Sequence, residues 1–132
     1  MAEYPGRIRK LFTNDTVDED GIYGIKLTKN GVKKTVYVDD YLPVLQERLV
    51  FASSKGPELW VPLIEKAFAK VHGSYGRIVA GNAAEALRDL TGAPSWTHDL
   101  KKYDGDLFGL LEEADGKKHI VCAGCDSAAY GL

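Results

Sequence analysis

The stretch from Glu58 to Val71 constrains the fold more than any other. Trp60, Leu63, Ile64, Ala67, Phe68 and Val71 recur with the spacing of one helical face. Pro62 has no N–H to donate and is tolerated only in a first turn, so the helix must begin just before it. Glu58 would then lie at the positive end of the helix dipole, and Gly73 marks the stop. The spacing predicts a central amphipathic helix with Trp60, Ile64 and Phe68 in the core. Such a stripe needs an apolar floor to pack on.

The floor is legible upstream. Tyr23, Ile25 and Leu27 alternate with other residues, Asn30-Gly31 is a strong hairpin turn signal, and Val32, Val36 and Val38 follow. A β-hairpin over Gly21–Asp39 is predicted. Before it, Arg7–Phe12 has helical spacing with Ile8, Leu11 and Phe12 on one side, and Pro5-Gly6 suits a helix start. After it, Leu49-Val50-Phe51 reads as a short strand. Downstream the pattern predicts a helix over Ala83–Leu90 presenting Ala86, Leu87 and Leu90, a strand over Ser95–Leu100, and a helix over Leu107–Ala114. That last helix would be capped by Asp104 or Asp106, with Leu107, Leu110 and Leu111 inward. A final strand is read over His119–Cys125. Hairpin and helices together indicate a mixed α/β chain of the α+β kind.

Composition excludes several functions. A net charge of −2 supplies no basic field for nucleic acid. No apolar run is long enough for a transmembrane helix, and Met1-Ala2-Glu3-Tyr4-Pro5 is not a secretory leader. Two cysteines do not make a disulfide scaffold, so an intracellular, reducing location is expected.

Few residues offer chemistry. Cys122-Ala123-Gly124-Cys125 is a C-x-x-C without a second pair, and it sits on an apolar run rather than a helix start. It reads as two buried thiols before it reads as zinc, redox or nucleophile chemistry. His72, His98 and His119 read as surface or satisfied core residues. Asp39-Asp40 could hold a metal or act as acid and base, but one cap and one ion pair is the simpler reading. The acidic run from Asp15 to Asp20 lacks the ligand spacing of an EF-hand. Gly76, Gly81 and Gly92 form no phosphate cradle.

The order Gly21-Ile22-Tyr23, Val38-Asp39-Asp40-Tyr41-Leu42-Pro43, Glu58-Leu59-Trp60, Leu63-Ile64-Glu65-Lys66-Ala67-Phe68-Ala69-Lys70, Gly73-Ser74-Tyr75 and Leu90-Thr91-Gly92 is more telling. It resembles the protease core of calpains, above all the calpain-like proteins of protozoa and other lower eukaryotes. The resemblance implies part of a papain-like, two-lobed core, with residues 1–81 in the first lobe and 82–132 opening the second. It implies an intracellular, calcium-dependent cysteine endopeptidase acting on protein substrates. The catalytic Cys, His and Asn of the family find no counterpart, so no residue receives a catalytic role and the isolated chain is expected to be inactive. An inactive calpain-like binding module is the alternative. Two positions carry over. Glu58 corresponds to the acidic ligand that completes the first-lobe Ca²⁺ site, and Gly81 to the glycine that hydrogen-bonds the substrate backbone. Ala80 stands where the family commonly has a second glycine. A lone carboxylate holds Ca²⁺ poorly, so tight binding would require the remaining parts of the core.

Overall fold

The computed structural model describes residues 4–14, 16–79 and 81–124. The chain divides into two compact units, Met1–Ser95 and Trp96–Leu132.

The first unit is built on the expected hairpin. Strands β1 (Ile22–Lys29) and β2 (Val32–Asp39) pair antiparallel from Ile22↔Asp39 to Lys29↔Val32. That register leaves Asn30 and Gly31 as a two-residue turn, with φ of 52° and 77°. Positive φ at both positions matches the twist of the flanking strands, and Gly and Asn adopt it most readily. Tyr23, Ile25 and Leu27 are buried on one face, joined across the register by Val38 and half-buried Val36.

The segment before the hairpin departs from its helical spacing. Helix α1 covers only Pro5–Arg9, and the chain then runs along the free edge of β1. Phe12 bridges to Ile25, Thr13 N donates to the Gly24 carbonyl at 2.9 Å, and Lys26 N to the Leu11 carbonyl at 2.6 Å. Covering a strand edge outweighs extending a five-residue helix, since the edge offers unpaired backbone groups. The approach is close: a Cβ on Gly24 would come within 2.9 Å of Thr13 Cγ2.

Past the hairpin, a second, smaller ribbon pairs β3 (Val44–Leu45) with β4 (Arg48–Leu49). Its turn, Gln46-Glu47, has positive φ at both residues, 49° and 62°, without glycine or asparagine. The expected strand over Leu49–Phe51 is thus cut to Leu49, which pairs with Val44, the first residue of β3.

Helix α2 (Trp60–His72) lies against the hairpin and ends at Gly73, as its sequence requires. Leu63 and Ala67 enter the core with Leu11, Tyr23, Ile25, Leu27 and Val38. Ile64 is half-buried and packs against this core, whereas Trp60 and Phe68 are half-buried outside it, which corrects the assignment of the two rings to the core. Only one edge of the stripe meets the hairpin. The other edge faces α3 (Ala83–Thr91) across a groove. A 3₁₀ turn, Tyr75–Arg77, follows α2. Helix α3 is capped by the Asn82 side chain, which accepts from Ala84 N at 2.8 Å, and it packs on β1.

In the second unit, helix α4 (Leu107–Gly116) is capped by Asp106, whose carboxylate accepts from Gly109 N at 3.0 Å. No described residue of this unit is buried, Leu107, Leu110 and Leu111 included. The strands expected over Ser95–Leu100 and His119–Cys125 do not form in their described residues. Neither has a partner strand, and an unpaired strand leaves its backbone groups unsatisfied by protein.

Candidate functional site

The two residues carried over from the family resemblance both sit just ahead of helices. Glu58 precedes the α2 N-cap, Leu59. It lies at the N-terminal end of α2, as the spacing implies, just outside the first turn itself. It is exposed, and its carboxylate folds back over Gly56. Its own carbonyl accepts from Ser54 Oγ at 2.6 Å. Gly81 is exposed and immediately precedes the α3 cap Asn82. Ala80 lies outside the described residues.

Glu58 by itself does not fit a calcium ion. Ca²⁺ takes roughly six to eight oxygens, and among the described residues no three His, Cys, Asp or Glu side chains gather closely enough to hold a metal.

Between α2 and α3 runs an apolar groove of about 290 Å³. Trp60, Ile64 and Phe68 form its α2 wall, and Ile78, Ala86 and Leu90 face them. On another side of α2, Glu65 accepts from Ala52 N at 2.8 Å and Phe51 stacks on Tyr75, with ring centroids 4.1 Å apart. Burial, reinforced by the Glu65 and Asp39 carboxylates, raises the Tyr75 hydroxyl above its ordinary range.

The cap and the ion pair expected of two aspartates both fall to Asp39. Asp39 accepts from Tyr41 N at 3.0 Å and from Lys66 Nζ at 2.6 Å. The Lys66 bond, then the Tyr41 N–H, holds the Asp39 carboxyl below the usual carboxylate range. Asp40 lies against Gly21, and its backbone N donates to the Gly21 carbonyl, closing the base of the hairpin. Lys66 also reaches the Tyr41 carbonyl, and Lys70 the Tyr37 carbonyl, so α2 is tied along β2 by two lysines.

The histidines separate. His98 meets the edge of Tyr103, and His119 is exposed. His72 enters a cluster that patterning does not reveal, with Lys29 of β1 and Asp89 of α3. Asp89 is the one described charged side chain that is buried. Cys122 is exposed, which corrects its expected burial: the apolar run around it finds no sheet to enter. Cys125 lies outside the described residues. Among the described residues no cysteine is hydrogen-bonded to an imidazole.

Comparison with known proteins decides the family. A sequence profile described as "Calpain family cysteine protease" matches residues 1–130. The chain belongs to the calpain family of cysteine proteases. Similar proteins include Calpain-A of Drosophila melanogaster, 37% identical over 106 residues, which cover 80% of this chain and 13% of that protein. The Calpain-1 catalytic subunit of Rattus norvegicus is 41% identical over 95 residues, and that of Homo sapiens 39%, each covering 71% of this chain and 13% of the relative. The chain therefore corresponds to a small part of these calpains.

Proposed function

We propose that this calpain-family chain contributes part of the protease core of a calcium-dependent, intracellular cysteine endopeptidase, and that the chain alone is inactive. The family match over residues 1–130 carries the reading. In it, the papain-like parent cuts protein substrates with a Cys, a His and an Asn supplied by segments other than this one. Residues 1–81 belong to the parent's first lobe and 82–132 open its second. The compact unit ending at Ser95 is a packing unit of this chain, which is a different division.

The chain's own residues provide a frame. Helix α2, clamped to β2 through Lys66 and Lys70, holds the Glu58 segment at one end. The carboxylate there supplies one ligand to a Ca²⁺ site that other parts of the core complete. Helix α3 holds Gly81 at its head, where the absence of a Cβ leaves room for an extended substrate backbone.

The test has two arms. The purified chain, given calcium and an unfolded casein-like substrate, should release no fragments. Cleavage that needs both calcium and a free thiol would overturn the claim of inactivity. The reading frame around the chain should encode Gly-x-Cys-Trp upstream and Gly-His downstream. A complete frame without them removes the protease assignment.

A further inference from the structure

The two edges of the hairpin meet different surroundings. In an antiparallel pair, facing residues either bond each other or both turn their N–H and C=O groups outward. Gly24 and Lys26 turn outward on β1, since the Gly24 carbonyl accepts from Thr13 N and Lys26 N donates to the Leu11 carbonyl. Their register partners, Tyr37 and Thr35, turn outward on β2, and by alternation so do Lys33 and Asp39. The carbonyls of Tyr37 and Asp39 confirm it: they accept from Lys70 Nζ at 2.8 Å and Lys66 Nζ at 3.1 Å. The outward groups of Lys33 and Thr35 and the N–H of Tyr37 have no partner among the described residues. Edge β1 is thus covered, whereas β2 is closed at its base and open over residues 33–37. An open edge is a template for another extended chain.

The charge around this edge has one sign. Residues 21–38 include Lys26, Lys29, Lys33 and Lys34 and no Asp or Glu. Lys29 is paired with Asp89. Lys26, Lys33 and Lys34 are exposed, and among the described residues none has a carboxylate within ion-pair distance. Lys70, beside Tyr37, has a carbonyl but no carboxylate. The register puts Lys33 opposite Thr28 on the outer face of the ribbon and Lys34 opposite Leu27 on the inner one. A strand added beside β2 meets a cation on each of its faces. Opposite charges across a strand pair stabilise it, and like charges destabilise it. A second copy of β2 is therefore a poor occupant, because it brings its own Lys33 and Lys34 to the pairing.

We propose that residues 33–37 of β2 are a docking edge for an extended, acidic segment of a partner protein, which joins the hairpin as a further strand. The free backbone groups of Lys33, Thr35 and Tyr37 hold its main chain, and Lys33 and Lys34 select its carboxylates. This docking is independent of the protease assignment.

The probe is a short capped peptide alternating glutamate and valine, titrated into the whole chain and followed by amide hydrogen exchange. It should bind and protect the amides of Lys33, Thr35 and Tyr37. Those of Lys34 and Val36, which face β1, should change little. Thr35→Pro removes an outward N–H and spares the β1 ladder, since an edge strand accepts proline where its N–H faces solvent. It should abolish binding. Lys33→Glu with Lys34→Glu should weaken binding about tenfold, the scale of losing and reversing two exposed ion pairs. The peptide with lysine in place of glutamate should not bind. Nor should a fully N-methylated glutamate peptide, which has no donors and serves if Thr35→Pro fails to fold. Absence of binding, equal binding of the lysine peptide, or undiminished binding in folded Thr35→Pro or of the N-methylated peptide would each overturn the docking edge. A dimer in sedimentation that Thr35→Pro dissolves would overturn it too, by giving the edge to a second copy.

Discussion

Helices α2 and α4 have similar lengths and both carry runs of large apolar residues, yet their fates differ. Helix α2 buries Leu63 to 2% and Ala67 to 0% exposure against the hairpin. Helix α4 buries nothing and leaves Phe108 70% exposed. The difference lies in what surrounds each helix. Helix α2 shares its unit with a paired sheet whose inner face presents Tyr23, Ile25 and Leu27. The described residues of the unit containing α4 form no paired sheet for it to pack on. An amphipathic pattern thus states a demand for a partner, and only the rest of the unit determines whether the demand is met.

The sharpest way to break this contrast is to hollow out the packed region. Ile25 is fully buried at the centre of the hairpin face. Ile25→Ala should cost about 2–5 kcal/mol, the range for deleting a large aliphatic side chain from a core. Denaturant unfolding measures it. A loss below about 1 kcal/mol would mean that the hairpin and α2 do not form the common core described.

A smaller effect tests the third segment of the sheet. Gly24→Ala places a methyl group against Thr13, whose backbone is already bonded to Gly24. The edge segment must shift, at about 1–3 kcal/mol for overpacking. The double variant with Thr13→Gly should recover part of that loss, because the overlap is with the threonine side chain. An unchanged penalty in the double variant would place the strain elsewhere.

What the sequence disclosed follows the same line. The hairpin, its turn and α2 were legible because each is specified locally, by alternation, by Asn30-Gly31, and by the spacing between Pro62 and Gly73. The caps of α3 and α4 are local too, and Asn82 ahead of Ala83 was a signal open to reading. The β3–β4 ribbon was hidden because Gln46-Glu47 adopts a turn that those residue types rarely signal. The strand-like runs after Pro94 failed because a strand is a property of two segments, and alternation shows only one. For the candidate site, the neighbours of Glu58 and Gly81 were implied only through kinship. The burial of Asp89 was invisible: its partners are 60 and 17 positions away in the chain. Long-range ionic contacts leave no period in a sequence.

The smallest prediction bears on α4 directly. If α4 is as uncovered as its exposures indicate, replacing its most exposed large apolar side chain should matter little. Phe108→Ser removes a ring that is 70% exposed, and it should leave stability within about 0.5 kcal/mol, as surface changes do. The helix should persist, since Asp106 still caps it and Lys117 still pairs with Glu113 one turn back. Helical circular dichroism and the unfolding midpoint report both. A loss above about 2 kcal/mol would show Phe108 to be packed in solution, because only buried rings cost that much. The contrast between the two helices would then be one of degree, with the exposed face of α4 covered by other protein atoms.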